Sequence, residues 1–284
     1  MGNEEILAQK VERLRQNLRQ GGRTILAFSG GVDSTFLMAM LKESGVDFLA
    51  VTAVSPTIPT RDREMAQSLA HSLGVSHRII EGGEMRNPDF VKNDADRCFH
   101  CKNDLFSHLV QLARDEGFQR VVDGSTADDV ADYRPGMKAK VLHGIQSPVL
   151  EAGLTKEELR IQSRRMGLST WNRPASPCLS SRITYGEPIE VAGLHMVEAG
   201  EDWLRNYGFS VVRVRKQQRT ARIEVPEADL VRFMDAQFRH ETNQVFQDLG
   251  FQFVSLDLEG FSSGRLNRQV LSLFPARVLG TPDG

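Results

Sequence analysis

The chain has 284 residues, of which 40% are apolar and 25% charged, and its formal net charge at pH 7 is -2. This length predicts two domains of ordinary size, and the composition is that of a globular protein rather than a disordered or fibrous one. The balanced charge disfavours bulk nucleic-acid binding, and three cysteines disfavour a disulfide framework. No apolar run approaches the roughly 18 residues of a membrane span, and the charged N-terminus lacks the apolar core of a secretory signal, so we expect a cytoplasmic protein.

Short apolar runs alternate with amphipathic stretches along the first 170 residues. The runs predict strands at 24–28, 48–54, 76–80 and 119–124. The amphipathic stretches predict helices at 3–19, 35–41, 62–74 and 102–117. Thr155 and Glu158 have the spacing of a capping box and predict a further helix that ends near Gly167. This repeated βαβ order predicts an α/β fold with a doubly wound parallel sheet.

A different order of elements begins after the loop at residues 170–182, which is rich in proline and serine. The later elements are predicted as a helix at 190–207, strands at 210–216 and 221–225, a helix begun by Pro226, and a strand at 251–258. An αββαβ order predicts a separate, smaller α+β domain. We therefore predict one domain over residues 1–170 and a second over 171–284.

A glycine-rich turn, Ser29 to Ser34 (SGGVDS), lies between the first predicted parallel strand and the helix after it. Glycines permit a tight turn there, and the amides of a helix N-terminus can face an anion, so the turn is suited to a polyphosphate. We name residues 29–34 the phosphate turn. The turn lacks the lysine of G-x-x-x-x-G-K-[ST], which argues against the ordinary P-loop. The alternative is a glycine turn with no ligand.

The SGGVDS turn resembles the signature of the PP-loop pyrophosphatase family, whose nucleotide domain has the adenine nucleotide alpha hydrolase-like fold. The resemblance implies cleavage of ATP between its α and β phosphates, with adenylation of an oxygen of the substrate. By position, Asp33 would help to hold Mg²⁺, and the residues that would hold the pyrophosphate are Ser29, Gly30, Gly31 and Ser34. Asp128 and Asp129, in the later DGSTADD loop, are metal or nucleotide candidates, or else two solvated loop aspartates.

The three cysteines are Cys98 and Cys101, which form a C-x-x-C pair, and Cys178, which lies 77 residues later. Polar neighbours favour exposed thiols over buried small hydrophobic residues. Three thiolates can hold a [4Fe-4S] cluster with one open iron, form a zinc site completed by His100, or act as a redox or persulfide pair with a separate nucleophile. The open-iron cluster explains an odd number of ligands better than a closed zinc site does.

Longer segments resemble the LarE family of ATP-dependent sulfur transferases, which serve synthesis of the nickel-pincer nucleotide cofactor of lactate racemase. The matching segments run in family order: SGGVDS (29–34), DYRPGMKA (132–139), WNRPASPCLSSR (171–182), YGEP (185–188), RVR (213–215), ARIEVPEA (221–228) and LDLEGFSSGRLN (256–267). The resemblance implies adenylation of a carboxylate of pyridinium-3,5-dicarboxylic acid mononucleotide, followed by conversion to a thiocarboxylate.

The family resemblance also implies how sulfur is supplied. Members with only the cysteine that matches Cys178 give up its sulfur and retain dehydroalanine, whereas members with all three cysteines are associated with a [4Fe-4S] cluster that can hold an extra sulfide. This chain has all three, which favours a catalytic sulfide donor. Arg182, four residues after Cys178, is a candidate to stabilise its thiolate. We also expect a homo-oligomer, with proteins that supply sulfide or insert nickel as partners.

A basic segment, residues 205–222, contains six Lys or Arg and no Asp or Glu, which favours an anion site over a solvated strand face. Arg213 and Arg215 alternate on one predicted strand and so point to the same face. Arg265, in a Gly/Ser turn, matches the substrate-phosphate site of the family and completes this set. The residues expected to orient the arginines or the substrate are Glu224 and Asp229. Trp171 is suited equally to packing and to stacking.

Two functions from other classes share parts of this pattern. A cluster-dependent tRNA thiolase would share the phosphate turn and the cysteines, but the chain shows neither a larger basic surface nor zinc-ribbon C-x-x-C pairs. A nucleotide-binding regulatory module would share the fold and need no leaving-group chemistry. Amidotransfer of the NAD-synthetase kind is disfavoured, because no glutaminase domain is evident and the cysteines would have no role.

Overall fold

The structure, a computed structural model, describes residues 2–130 and 136–262 and divides into two compact units. The first unit comprises the described residues of Met1–Glu84 and Cys98–Ser176, and the second those of Met85–Arg97 and Pro177–Gly284. The chain passes between the units three times, and the predicted boundary near residue 170 precedes the third crossing, between Ser176 and Pro177. Composition alone did not show that residues 85–97 group with the C-terminal part of the chain.

A four-stranded parallel sheet forms the centre of the first unit, with the strand order β3-β2-β1-β4. Its strands are β1 (Thr24–Ala27), β2 (Phe48–Val54), β3 (His77–Glu81) and β4 (Arg120–Val122). Leu26 of β1 lies opposite Ala50 on one side and Val122 on the other. Because all four strands run the same way, the loops that follow them emerge at one edge of the sheet, where α/β proteins bind ligands.

Helices cover both faces of this sheet, which confirms the predicted α/β architecture. The helices of the chain up to residue 165 are α1 (Asn3–Gln20), α2 (Val32–Glu43), α3 (Thr60–Ser72), α4 (Pro88–Val91), α5 (Arg97–Glu116), α6 (Gly136–His143), α7 (Pro148–Glu151) and α8 (Lys156–Arg165). Leu26 packs in a core with Leu14 of α1 and Phe36 of α2, whereas the adjacent Ile25 packs with Phe106 of α5 on the opposite face. No helix in the described ranges is long and apolar enough to cross a membrane.

Helix α5 begins five residues earlier than the sequence pattern predicted. The prediction began at residue 102 because the preceding run is polar, but the helix includes Arg97 to Cys101 as its first turn. Phe99 packs against the same core as Phe106, seven residues and two turns later. The C-x-x-C pair therefore lies on a helix and not in a turn before one.

The second unit contains a three-stranded sheet of order β5-β6-β7, with β5 and β6 antiparallel and β6 and β7 parallel. Its remaining elements are α9 (Val191–Asn206), β5 (Arg213–Gln217), β6 (Thr220–Glu224), α10 (Ala236–Asp248) and β7 (Phe253–Leu256). The predicted helix at Pro226 is a 3₁₀ segment, Glu227–Met234. The α-helix starts only after Asp235, whose side chain accepts a hydrogen bond from the Phe238 amide at 2.7 Å.

Residues 85–97 are built into the second unit through Asn93. The Asn93 side-chain amide donates to the carbonyl oxygens of Thr184 and Glu187, each at 2.8 Å. Backbone bonds run from Gly186 N to Asn93 O and from Ile189 N to Val91 O. Asn93 has a φ of 60°, a left-handed conformation that asparagine tolerates better than most residues. This segment is therefore an integral part of the second unit.

Candidate functional site

The phosphate turn leads from β1 directly into α2, with Gly31 at the N-cap position. Gly30 has a φ of 71°, and a Cβ atom on it would lie 3.1 Å from the Cα of Ala66 in α3. Both the backbone conformation and the close approach therefore require glycine. The first amides of α2 have no acceptor within the helix, so the turn presents N–H groups at the carboxyl edge of the sheet.

Two serine hydroxyls connect the two ends of the phosphate turn. Ser29 Oγ lies 3.2 Å from Ser34 Oγ, and Ser34 Oγ also lies 3.3 Å from the Gly31 carbonyl oxygen. The backbone amide of Ser29 donates to Ser34 Oγ at 3.3 Å. These bonds bring together the polar residues that the sequence nominated for pyrophosphate binding.

Gly124, which the sequence analysis did not single out, packs directly on the phosphate turn. It follows β4, and a Cβ atom at this position would lie 2.8 Å from the Asp33 carbonyl carbon and 2.8 Å from the Ser34 amide nitrogen. Real Cβ atoms do not approach backbone so closely. The Asp-Gly pair of the DGSTADD loop was the one sequence feature that indicated a special backbone position here.

Asp33 combines burial with an incompletely satisfied carboxylate. Its Oδ1 atom is buried and has no hydrogen-bond partner among the described residues, whereas Oδ2 lies 3.2 Å from Lys156 Nζ. Burial raises the pKa of the Asp33 carboxyl, the Lys156 ammonium opposes that rise, and the charge of Asp129 adds to it. A buried oxygen without a donor fits a hard cation such as Mg²⁺, which prefers carboxylate ligands.

The two aspartates of the DGSTADD loop have different surroundings. Asp129 is buried and accepts a hydrogen bond from the Thr126 amide at 2.8 Å. Asp128 is exposed and accepts from the Lys156 backbone amide at 2.5 Å. The interpretation of both as solvated loop residues is therefore wrong for Asp129. The hydrogen bond of Asp128 connects this loop to the start of α8.

Lys156 supplies a cation that the phosphate turn itself lacks. It is the first residue of α8, whose N-terminus carries the predicted capping box: Thr155 accepts from the Glu158 amide at 3.2 Å, and Glu158 accepts from the Thr155 amide at 2.8 Å. The sequence predicted this cap correctly but did not indicate that the next residue would contact Asp33. The separation of more than 120 residues between them left no local signal.

A buried lysine holds the loop after β4. Lys140 Nζ donates to Ser147 Oγ at 2.7 Å and to Ser125 Oγ at 2.8 Å, and it lies 3.2 Å from the Asp123 carboxylate. Asp123 in turn accepts from Ser147 Oγ at 2.7 Å. Because Gly124 is the next residue, this cluster fixes the loop that packs on the phosphate turn.

The cysteines are accessible to solvent to different degrees and belong to both units. Cys98 is exposed and Cys101 is half-buried, one turn apart on α5 in the first unit. Cys178, also half-buried, precedes a 3₁₀ turn of the second unit. A helix N-terminus favours thiolates, so the donor chemistry of the pair fits a metal or cluster. Within residues 2–130 and 136–262, however, no three Cys, His, Asp or Glu side chains are grouped closely enough to hold a metal ion. The zinc site that His100 would complete is therefore not formed among these residues.

Arg182 is fully buried and holds the backbone around Cys178. Its guanidinium donates to the carbonyl oxygens of Pro177 at 2.5 Å and Cys178 at 3.0 Å. It also pairs with both carboxylate oxygens of Glu201, at 2.8 and 3.0 Å. The interaction with the thiolate stays a prediction, and these bonds show that Arg182 orders the peptide that carries Cys178.

Arg213 and Arg215 are only 7% and 8% exposed, which excludes the solvated strand face. Arg215 is held by Glu224 Oε2, at 2.8 and 3.0 Å, and it donates to the Ser181 carbonyl oxygen at 2.8 Å. Burial lowers the pKa of Arg213 to about 10, and the nearby Arg182 charge contributes to this shift. The charge of Arg215 also lowers this pKa, whereas the charge of Glu201 raises it, so the buried cluster contains charges of both signs.

The other predicted residues are distributed more widely. Asp229 lies in the 3₁₀ segment after β6, where its carboxylate is 3.7 Å from the Arg232 guanidinium. Arg265 and the DYRP part of the DYRPGMKA motif lie outside the described residues. Trp171 packs under the Arg164 guanidinium, which lies 4.9 Å from its ring centre. Of the two predicted acidic residues, Glu224 accepts hydrogen bonds from Arg215.

Comparison with known proteins decides the family. No protein-family model matches the chain. A pyridinium-3,5-bisthiocarboxylic acid mononucleotide synthase of Lactiplantibacillus plantarum is 38% identical, over 92% of this chain and 95% of that protein. The chain belongs to the LarE family. An uncharacterised protein of Synechocystis is 42% identical over 93% of this chain and 98% of its own length. A tRNA-specific 2-thiouridylase of Rhodospirillum rubrum is 28% identical over 64% of this chain and 59% of that enzyme.

As a LarE-family protein, the chain is an ATP-dependent sulfur transferase with the PP-loop fold. Its first unit contains the phosphate turn with Asp33 and Lys156, and its second unit contains Cys178 and the buried arginines.

Proposed function

We propose that this protein adenylates a carboxylate of pyridinium-3,5-dicarboxylic acid mononucleotide and converts it to a thiocarboxylate for nickel-pincer cofactor synthesis. The observation that carries the proposal is a set of hydrogen bonds within the second unit. Arg182 binds the Cys178 carbonyl, and Arg215 binds the Ser181 carbonyl three residues later. The proposed phosphate site and the proposed sulfur residue are therefore parts of one bonded assembly.

In the first step, a carboxylate oxygen of the substrate attacks the α-phosphorus of ATP, and the bond from that phosphorus to the bridging oxygen breaks. Pyrophosphate leaves with the electron pair, and an acyl-adenylate remains. We assign the first unit to this step. The amides and hydroxyls from Ser29 to Ser34 receive the pyrophosphate, and Asp33 holds Mg²⁺ with Asp129 nearby.

In the second step, a sulfur nucleophile attacks the carbonyl carbon of the acyl-adenylate, and AMP leaves with the electrons of the carbon–oxygen bond. The product is the thiocarboxylate. We assign this step to the second unit. Cys178 lies at the transfer point, Arg182 fixes its peptide, and Arg213 and Arg215, with Arg265, hold the 5′-phosphate of the substrate.

The ligands proposed for a [4Fe-4S] cluster are Cys98, Cys101 and Cys178. When bound, such a cluster supplies an open iron for an external sulfide, so Cys178 keeps its own sulfur. The test is intact-mass spectrometry after anaerobic turnover. We expect an unchanged mass and iron with acid-labile sulfide in equal amounts. A loss of about 34 Da at Cys178, the mass of H₂S removed as dehydroalanine forms, would contradict the catalytic donor.

The adenylation step is tested by pyrophosphate release with ATP and the mononucleotide. We expect release by the wild-type protein and none by folded Asp33→Asn or Ser34→Ala variants. Release that continues at the wild-type rate in both variants would contradict the assigned ATP site.

The phosphate site is tested by direct binding of the mononucleotide. Arg215→Ala is combined with Glu224→Gln, so that no buried carboxylate loses its partner, and we expect affinity to fall by about 10- to 100-fold. Arg219→Ala removes an exposed arginine from the same hairpin and is the matched control. Equal affinities in the two variants would place the site elsewhere.

Thiolation of tRNA is the alternative within the superfamily, and the thiouridylase relative matches a smaller part of the chain than the L. plantarum synthase does. A gel-shift titration with total tRNA at physiological salt separates the two functions. We expect no saturable complex, whereas tight binding that weakens steeply with salt would favour the tRNA enzyme. Homo-oligomer formation and partners for sulfide supply and nickel insertion are further parts of the proposal.

A further inference from the structure

A long-range hydrogen bond fixes the direction of one peptide in the phosphate turn. Arg173 Nη1 donates to the Gly30 carbonyl oxygen at 3.1 Å. The Gly30 carbonyl and the Gly31 amide belong to the same planar peptide and point in opposite directions. Holding the carbonyl oxygen therefore also fixes the direction of the Gly31 N–H.

Helix α3 holds both partners of this bond. Ala66 contacts Gly30, and Asp62, four residues earlier and so on the same face, accepts a hydrogen bond from Arg173 Nη2 at 2.7 Å. Asp62 is itself buried, and its second oxygen accepts from Ser176 Oγ at 2.6 Å. The Arg173 guanidinium thus spans a helix carboxylate and the carbonyl of the phosphate turn.

Helix α8 restrains the same segment from a second side. Arg160 donates to the carbonyl oxygens of Trp171 and Arg173, each at 2.8 Å. The backbone on which Arg173 is mounted is therefore fixed independently of the guanidinium. A fixed backbone lets the side chain act as a defined spacer and not as a mobile surface cation.

The need for such a spacer follows from the chemistry of anion binding. A polyphosphate requires amide N–H groups on its side of the turn, and a carbonyl oxygen on that side would repel it. Gly30, at a φ of 71°, has no side chain to oppose rotation of the following peptide. Within the turn, the Gly31 N–H donates only a long hydrogen bond, at 3.4 Å, to Ser29 Oγ. The shorter, charged bond from Arg173 to the Gly30 carbonyl oxygen is therefore the stronger restraint against the flipped conformation.

We propose that Arg173 is a positioning residue of the ATP site, which holds the Gly30–Gly31 peptide in its anion-binding orientation and is itself oriented by Asp62. The proposal deepens the proposed function and rests on its ATP site. In this proposal the orientation of the peptide depends on a guanidinium that bridges two acceptors, and the positive charge alone is not sufficient.

The experiment measures binding of MgATP and of magnesium pyrophosphate by isothermal titration calorimetry, with no mononucleotide present. We expect Arg173→Met to weaken both by about 10- to 100-fold, as is typical when a charged hydrogen bond is lost. Arg173→Lys keeps the charge but cannot span both acceptors, so it should weaken binding nearly as much. Asp62→Asn should act in the same direction. The matched control is Arg164→Met, which removes an exposed guanidinium that contacts Trp171 of the same segment but not the turn.

A second measurement separates positioning from general loss of structure. The KM for ATP in pyrophosphate release should rise in Arg173→Lys, whereas the affinity for the mononucleotide stays at the wild-type value. Wild-type ATP binding by Arg173→Lys would overturn the proposal, and so would equal weakening in Arg164→Met. If the wild-type protein binds ATP but releases no pyrophosphate with the mononucleotide, the proposed function fails while the test of Arg173 stands.

Discussion

Replacing Glu201 by Gln should destabilise the second unit, because it removes the negative charge that balances the arginines beside Cys178. Glu201 is 1% exposed and accepts hydrogen bonds from Arg182 and, at 2.5 Å, from Arg205. It also accepts from the Val214 amide at 3.1 Å, which ties α9 to β5. Gln keeps the shape and loses the charge.

The size of the expected loss in unfolding free energy follows from the pKa of Glu201. Burial acts to raise this pKa, but the charges of Arg182 and then Arg205 outweigh it and lower the pKa from 4.5 to about 2. A difference of this size corresponds to about 3 kcal/mol of folding free energy. Removal of one partner from a buried ion pair typically costs ~3–5 kcal/mol, which agrees in scale. We therefore expect Glu201→Gln to lower the free energy of unfolding by about 3 kcal/mol at pH 7.

The sign of the pH dependence follows from the direction of the shift. The folded-state pKa is below the unfolded value, so the stabilisation is complete above pH 4.5 or so and is lost as the pH falls towards 2. The difference in unfolding free energy between wild type and Glu201→Gln should therefore shrink over that interval.

The assay is urea unfolding followed by the fluorescence of Trp203, which lies on α9 in the second unit. A Trp171→Phe background removes the second of the two tryptophans. Asp202→Asn is the control, because its half-exposed carboxylate pairs with Arg205 at the surface and should contribute under about 1 kcal/mol. A loss below about 1 kcal/mol in Glu201→Gln, or a difference that does not change with pH, would refute the reasoning.

Three other changes test the first unit. Gly124→Ala should cost about 1–3 kcal/mol and weaken MgATP binding, because its Cβ would lie 2.8 Å from the phosphate-turn backbone; unchanged urea unfolding would show that the turn yields without cost. Lys156→Met removes a charge that lowers the pKa of Asp33, so the acid limb of pyrophosphate release should move to higher pH; an unmoved limb would show that Asp33 does not control it. Thr155→Ala should cost about 0.5–2 kcal/mol through loss of the helix cap, whereas Thr155→Ser should retain most of the stability, and equal losses would exclude the hydroxyl as the cause.

The sequence was sufficient for features that short-range patterns encode. Apolar runs identified β1 to β4, and the βαβ alternation identified the parallel sheet. The capping box at Thr155 and the glycine turn after β1 were also located correctly. Each of these features depends on residues within a few positions of one another, where spacing determines hydrogen bonding and burial.

The features that sequence analysis missed depend on contacts between distant residues. Arg173 reaches Gly30 across 143 positions, and Lys156 reaches Asp33 across more than 120. No periodicity signals such a contact. The 3₁₀ segment at Glu227–Met234 was predicted as an α-helix, because Pro226 is a good helix start and the sequence does not show that Asp235 caps a separate helix.

Because the second unit is built from two separate stretches of chain, it constrains folding during synthesis and the design of fragments. On the ribosome, residues 85–97 emerge long before residues 184–189, so Asn93 cannot meet its partners until most of the chain has been synthesised. A fragment that starts at Pro177 would leave the carbonyls of Thr184 and Glu187 without the Asn93 amide. A split or circularly permuted version of this enzyme should therefore keep 85–97 covalently connected to the residues that follow 177.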